Sequence, residues 1–208
     1  MPVRESVYKY APDDIKIGPA RVFIAEYDTV EPPVRISDVV SLSTYDAAAG
    51  WTSLGDTVEP IEMVMSAFDV TTVRTQQHGR VADYPGDYNN RITTTFAERS
   101  TVVKEAIMGV DLTTSVNAAS ENVTYYSVTK QLRPKRLAVL HLDETRVSPF
   151  ALMMTVFPKA QRSGSDSSWS WDRDTQMGFP CEWNIYPDED IVDPTSGEYI
   201  FAYDIEQP

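Results

Sequence analysis

Most periodic segments of this chain alternate between apolar and polar residues with a period of two, which is typical of a β-strand with one buried face. The pattern begins in residues 20–27, where Val22 and Ile24 fall on one face, and returns in residues 61–66. Residues 91–96 are rich in Thr and Ile, whose restricted side-chain rotamers suit a pleated surface. Further strands are predicted at residues 123–130, 137–142, 150–157, 168–172, 181–186 and 198–204.

One helix is predicted between these strands. Ser100 can cap its first turn and Gly109 can end it. Apolar residues recur between them with helical spacing: Val102, Val103, Ala106 and Ile107. A helix of about three turns needs a sheet to pack against.

These elements predict a mainly β fold, a β-sandwich or barrel-like structure flanked by one short helix. The simplest division is an N-terminal arm at residues 1–19 and a single β domain at residues 20–208. Residues 28–50 are predicted to be a long connection with one helical turn near residues 37–42. Residues 75–90 are predicted to be a loop or hairpin tip, and residues 110–122 a loop.

Two of the predicted strands, residues 137–140 and 151–157, are apolar on both faces. Antiparallel sandwiches usually leave one face of a strand in water, so both faces of these strands need cover. Either the single helix covers them, or another copy of the chain does so at an apolar subunit interface.

The net charge of the chain argues against nucleic-acid binding. The chain has 18 Lys and Arg against 31 Asp and Glu, a net charge of −13, so it should repel the phosphates of nucleic acid. The acidic residues concentrate in residues 21–73 and 147–208. They form either two solvated surfaces or a face that meets the more basic middle of the next copy. No apolar run is long enough to span a bilayer.

The sequence contains no recognisable catalytic motif. Its two histidines, His78 and His141, lack the spacing of a metal site, and no nucleophile elbow or phosphate-binding loop occurs. The single cysteine, Cys181, excludes an internal disulfide and is predicted to be a buried, inert thiol. The acidic residues 188–193 either hold a divalent ion or an acid–base pair, or form a solvated turn, which the sequence favours. We therefore expect no enzymatic activity, no catalytic residue, no metal and no cofactor.

Trp169 and Trp171 alternate along one predicted strand, so their indoles fall on the same side. Together with nearby carboxylates they would suit a sugar-stacking platform. Core or interface packing is the favoured alternative, because tryptophan is usually largely buried.

The order of segments also resembles a known family. Four passages carry the resemblance. The first is Gly18-Pro19 before the first strand, and the second is Gly50-Trp51-Thr52-Ser53-Leu54-Gly55. The third is residues 92–109, in which a strand leads through Ala97-Glu98 into the helix, and the fourth is the passage at residues 182–188 before the last strand. Across residues 17–204 the chain resembles the major tail tube protein of long-tailed, non-contractile bacteriophages (siphoviruses). The resemblance implies a tail-tube-like fold of two packed antiparallel sheets flanked by a helix.

The resemblance also implies a function: a structural virion protein, located in the phage tail and in the host cytoplasm during assembly. Copies form hexameric rings that stack into a hollow tube for DNA ejection, with sheets of neighbouring copies joined around the lumen. The implied partners are the chain itself, the tape-measure protein, the tail terminator and the distal tail or baseplate proteins. DNA passes through the lumen without specific binding, and no membrane insertion is implied.

Within such a tube, Glu62 and Asp69 are expected to face the lumen, where negative charge would avoid gripping DNA. The arm at residues 1–19 and the 75–90 loop are expected to make contacts between rings. In the loop the candidate residues are His78, Arg80, Tyr84 and Asp87. Two alternatives remain open: a carbohydrate-binding β-sandwich module, and another phage tail ring protein such as a terminator or baseplate component.

Overall fold

In a computed structural model, the described residues form one antiparallel eight-stranded sheet, three two-stranded ribbons and one helix. The structure describes residues 20–55, 57, 60–65, 70–75, 79–85, 90–97, 100–109, 112–117, 119–125, 132–142, 152–163 and 178–207. The predicted fold class, mainly β and antiparallel with one helix, is confirmed.

The helix α1 spans Thr101–Met108, and a short 3-10 turn spans Ile36–Asp38. The strands are, in chain order, β1 (Ala20–Glu26), β2 (Trp51–Ser53), β3 (Glu62–Val64), β4 (Val70–Thr75), β5 (Gly79–Pro85), β6 (Asn90–Phe96), β7 (Thr113–Val116), β8 (Asn122–Tyr125), β9 (Lys135–Leu142), β10 (Leu152–Arg162), β11 (Phe179–Tyr186), β12 (Asp188–Val192), β13 (Tyr199–Ile200) and β14 (Tyr203–Gln207).

The main sheet has the strand order β2-β1-β9-β10-β11-β6-β3, with β14 added beside β10. The pairing of β10 with β9 shifts register between Phe157 and Ala160, an irregularity of the β-bulge type. Before this point β10 pairs with β14, and after it β10 pairs with β11. The remaining strands form the ribbons β4–β5, β7–β8 and β12–β13.

Both halves of the main sheet contribute to one buried cluster, the inner core. Val22 and Leu137 come from the β1–β9 half, and Trp183 and Phe96 from the β11–β6 half. The Phe96 and Trp183 rings meet edge to face with centroids 5.9 Å apart. The helix adds its apolar stripe to the same cluster: Val103, Ala106 and Ile107. The two halves and the helix thus enclose a core in a sandwich-like arrangement.

The opposite face of β1, β9 and β10 packs in a second cluster. Phe23, Ala138 and Met154 belong to it, covered by Val39 and Val40 of the connection at residues 28–50. The described residues of the strands that are apolar on both faces are therefore buried or half-buried within the chain. Of the two covers that the sequence left open, a second copy is not needed for the described residues.

The helix agrees with its prediction at both ends. Ser100 Oγ accepts a hydrogen bond from the Val103 backbone N–H at 3.2 Å. Gly109 ends the helix in the left-handed conformation, at φ +66°, and its N–H donates to the Glu105 carbonyl at 2.8 Å.

Two predicted loops contain strands. Residues 110–122 were expected to be a loop, but they include β7, which pairs with β8. Asn117 makes this hairpin possible, because its Oδ1 accepts hydrogen bonds from the Ala119 and Glu121 N–H groups. Residues 75–90 were predicted to be a loop or hairpin tip, and residues 79–85 form β5, which pairs with β4 in an antiparallel ribbon. The strand predicted at residues 168–172, with Trp169 and Trp171, lies outside the described residues.

Candidate functional site

Two strand pairs near the end of the main sheet share one register. In the β3–β6 pair Glu62 is opposite Thr93, and in the β4–β5 pair Val70 is opposite Pro85. Glu62 and Val70 are eight positions apart, and so are Pro85 and Thr93. Up to Val73, the β4–β5 pairs therefore keep the register of the β3–β6 pairs, and the register shifts between Val73 and Arg74. We call these four strands the long hairpin.

The β4–β5 ribbon is paired separately from the main sheet. Among the described strands, β4 and β5 pair only with each other, whereas β3 pairs with β6 along one edge. The exposed side chains of β3 include Met63, which is 42% exposed, and Met65 follows directly after the strand and is 51% exposed. An edge strand with exposed apolar side chains is a site where another strand can add.

The strands β6 and β11 have one buried face and one polar face, and β3 extends the polar face at the edge of the sheet. Alternate residues of β6, such as Ile92 and Phe96, enter the inner core. The intervening residues form the polar face, in two rows across the three strands: Glu62, Thr93 and Glu182, then Val64, Arg91 and Asn184. All six are exposed or half-buried. This is the pattern of a sheet that faces water on one side.

The charges of the polar face are predominantly negative. Two carboxylates, Glu62 and Glu182, lie on either side of Thr93, and Arg91 supplies a cation in the next row. The Nε atom of Arg91 is buried and has no hydrogen-bond partner within the described ranges. Such a surface can repel polyanions and can offer Arg91 to an acceptor, but it does not assemble a recognisable nucleophile and base.

Of the residues expected to face a lumen, Glu62 lies on this polar face, where it is exposed. Asp69 lies outside the described residues. Of the expected ring contacts, Arg80 and Tyr84 belong to β5, opposite Arg74 and Thr71 of β4. His78 and Asp87, like the arm at residues 1–19, lie outside the described residues.

The acidic residues 188–193 do not form the solvated turn that the sequence favours. Asp188 is fully buried, and its Oδ2 accepts a hydrogen bond from Arg136 Nη1 at 2.9 Å. Its Oδ1 accepts from the Tyr27 hydroxyl at 2.8 Å. Asp193 instead stabilises the turn that follows it, because its Oδ1 accepts a hydrogen bond from the Thr195 N–H at 2.7 Å. The carboxylates therefore do not converge on one ion.

The contacts in this buried network shift the pKa values of Asp188 and Tyr27. Burial raises the pKa of Asp188, but hydrogen bonds from Arg136, the Asp190 N–H and Tyr27 outweigh it and hold the pKa below its usual range. Burial, with the bond to Asp188, raises the pKa of Tyr27 to about 12. Sequence reasoning missed this network, because its partners lie 52 and 161 positions apart and no local pattern connects them.

Cys181 and His141 each have a side chain that can be reactive in other proteins. Cys181 is buried as predicted, and burial raises its pKa to about 12, so the thiol is inert. His141 is half-buried, and its Nε2 atom has no hydrogen-bond partner among the described residues.

Within the described ranges, no group of three or more His, Cys, Asp or Glu side chains is placed to hold a metal ion. In the same part of the chain no helix is long and apolar enough to cross a membrane.

Comparison of the chain with models of known protein families and with curated proteins found no match.

Proposed function

We propose that this chain is a structural subunit of a bacteriophage tail tube, in which copies form hexameric rings that stack around a conduit for DNA. The main support is the long hairpin. Its β4–β5 part keeps the register of the β3–β6 pairs up to Val73 and pairs with no other described strand.

An isolated two-stranded ribbon is at best marginally stable in water. The six residues of β4 extend the hairpin by roughly 20 Å at the rise of a β-strand. Such an extension gains stability where neighbouring copies supply further strands or a packing surface. We therefore assign the hairpin to contacts between copies, with Arg80 and Tyr84 of β5 among the contact residues.

The polar face supports the second part of the proposal, a conduit for DNA. Glu62 and Glu182 would repeat around a ring of copies and present a negative wall to passing phosphates. A wall with few cations adds little affinity for DNA, because phosphate binding depends on Lys and Arg contacts. We assign the polar face of β3, β6 and β11 to the lumen.

The strands that are apolar on both faces do not support association between copies. Leu137 and Ala138 are fully buried within one copy. Association of copies is thus proposed from the hairpin and the open edge of β3. The other partners follow from the same proposal: the tape-measure protein in the lumen, and the terminator and distal tail or baseplate proteins at the tube ends.

The hairpin can be shortened without changing the register of the ladder that remains. Val64 is opposite Arg91, so residues 65 and 90 would be the next pair in the same register. Replacing residues 66–89 by Asn-Gly would close them with a two-residue turn. A matched control replaces residues 193–198 by Asn-Gly between Val192 and Tyr199, which are paired in the β12–β13 ribbon.

Negative-stain microscopy of the concentrated proteins, alone and with tape-measure protein, tests the proposal. We expect tubes from the unaltered chain and from the control. The shortened hairpin should give folded monomers, with circular dichroism and a cooperative thermal transition like those of the unaltered chain. Persistent monomers of the unaltered chain in both conditions would contradict a tube subunit, and tubes from the shortened variant would contradict the role of the hairpin.

A further inference from the structure

We propose that Met63 and Met65 form a preferred site of peroxide oxidation in the free chain, which association with a second copy shields. The inference rests in part on the proposed function, since the second copy is the neighbour in the tube. It concerns a covalent modification that the tube proposal does not itself require.

The two methionines differ from the others that the structure describes. Met63 is 42% exposed and Met65 is 51% exposed. Met154 is fully buried in the second core cluster, and Met108 and Met153 are half-buried. Sulfoxide formation follows the access of the oxidant to sulfur, so this order of exposure predicts the order of oxidation.

The position of the pair gives the modification a consequence. Met63 is opposite Ile92, whose side chain lies in the inner core, so Met63 extends the apolar side of the sheet beyond the core. Met65 directly follows the strand, two residues further along, and is exposed as well. Both lie where β3 runs towards β4 and the ribbon assigned to contacts between copies.

The chemistry is a two-electron oxidation by hydrogen peroxide. The thioether sulfur attacks one peroxide oxygen, an S–O bond forms and the O–O bond breaks. The departing hydroxide takes the proton of the hydroxyl group now bound to sulfur and leaves as water, so methionine is oxidised and peroxide is reduced. The product sulfoxide is polar and chiral, and it fits poorly where a flexible thioether would pack.

The first measurement is a peroxide time course on unassembled protein, followed by peptide mass spectrometry. We expect sulfoxide at Met63 and Met65 at least about tenfold faster than at Met154, with Met108 and Met153 between them. Comparable rates at Met63, Met65 and Met154 would overturn the site.

The second measurement applies the same oxidant to assembled tubes. Met63 and Met65 should become oxidised several-fold more slowly than in the free chain. Equal rates in the two states would overturn shielding by a second copy. Pre-oxidised protein should lose assembly and regain it after treatment with methionine sulfoxide reductase.

A Met63→Leu, Met65→Leu double variant separates the effect of oxidation from other damage, because leucine keeps the apolar surface and resists peroxide. It should assemble after peroxide treatment, whereas the matched Met153→Leu control should still lose assembly. Equal loss in both variants would overturn the proposal. If untreated protein never assembles, the proposed function and the shielding both fail, while the order of oxidation in the monomer still decides the site, so the two failures can be told apart.

Discussion

Arg136 and Asp188 form a buried ion pair, with 2.9 Å between Nη1 of the arginine and Oδ2 of the aspartate. Arg136 is 5% exposed and Asp188 is 0% exposed. Arg136 also donates to the carbonyl oxygens of Val30 and Pro158, and its guanidinium lies 4.6 Å from the centre of the Tyr27 ring. The pair thus joins β9, the connection after β1, the irregular point of β10 and the start of β12.

Asp188→Asn should destabilise the protein by about 3 kcal/mol, because removing one partner leaves the other charge buried without compensation. The control is Asp190→Asn, an exposed position two residues away, where we expect a change below about 0.5 kcal/mol. Urea unfolding at pH 7 followed by tryptophan fluorescence measures both values. Similar losses in the two variants would contradict the role of the ion pair.

The same pair predicts an acid dependence. The pKa of Asp188 is held below its ordinary value of 3.8 in the folded state. Its stabilising contribution is therefore present above that value and is lost as the pH falls through the lower folded pKa. The stability difference between the unaltered chain and Asp188→Asn should narrow below pH 4. Urea unfolding at steps from pH 6 to pH 2.5 measures this, and a constant difference would contradict it.

Tyr203 predicts a dependence at alkaline pH. Burial raises its pKa from 10.0 to about 12, and its hydroxyl donates to the Pro33 carbonyl at 2.6 Å. A raised folded pKa stabilises the fold below pH 10, and this contribution is lost as the pH rises towards 12. The advantage of the unaltered chain over Tyr203→Phe should be about 1 kcal/mol at neutral pH and should decline between pH 10 and pH 12. A pH-independent difference in urea unfolding would refute this assignment.

Local patterns predicted the parts of the fold that local chemistry determines. Ser100 and Gly109 mark the ends of the helix, because capping depends on residues within one turn. Alternation placed Val22 and Ile24 on one face of β1 for the same reason. The cover on the opposite face was not predictable, since Val39 and Val40 reach it from a segment with no strong period.

Local patterns also predicted one part of the candidate site and not the rest. Glu62 was recognisable as a polar position in an alternating strand. Its alignment with Thr93 and Glu182 depends on the pairing of three strands that are distant in sequence. The common register of the β3–β6 and β4–β5 pairs is likewise a property of pairing, because no residue type specifies which positions become opposite.

Two glycines with left-handed backbones offer a matched test of packing at the end of the helix. A Cβ atom at Gly109 would lie 2.9 Å from Arg162 Cβ and 2.9 Å from Leu132 Cδ2, whereas at Gly197 it would meet nothing within 4 Å. Their φ angles are similar, +66° and +75°. Gly197→Ala should therefore show the backbone cost alone, about 1 kcal/mol. Gly109→Ala should cost about 1–3 kcal/mol more, through displaced neighbours. Thermal and urea unfolding measure the two, and equal losses would show that the contacts at Gly109 relax freely.

The lumen assignment of the polar face predicts an effect of charge reversal on DNA passage. Glu62→Lys replaces an exposed carboxylate by a cation at a position that repeats around every proposed ring, so passing phosphates would be attracted instead of repelled. Glu206→Lys makes the same charge change at an exposed position of β14, outside the polar face. Tubes of normal length should form in both cases.

Particles built with Glu62→Lys should release DNA at least about tenfold more slowly at low salt, and the rate should recover as added salt screens the contact between Lys and phosphate. Release rates can be followed with a DNA-binding dye after ejection is triggered. Slowing by Glu206→Lys to the same extent, or unchanged release from Glu62→Lys particles, would place Glu62 away from the path of the DNA.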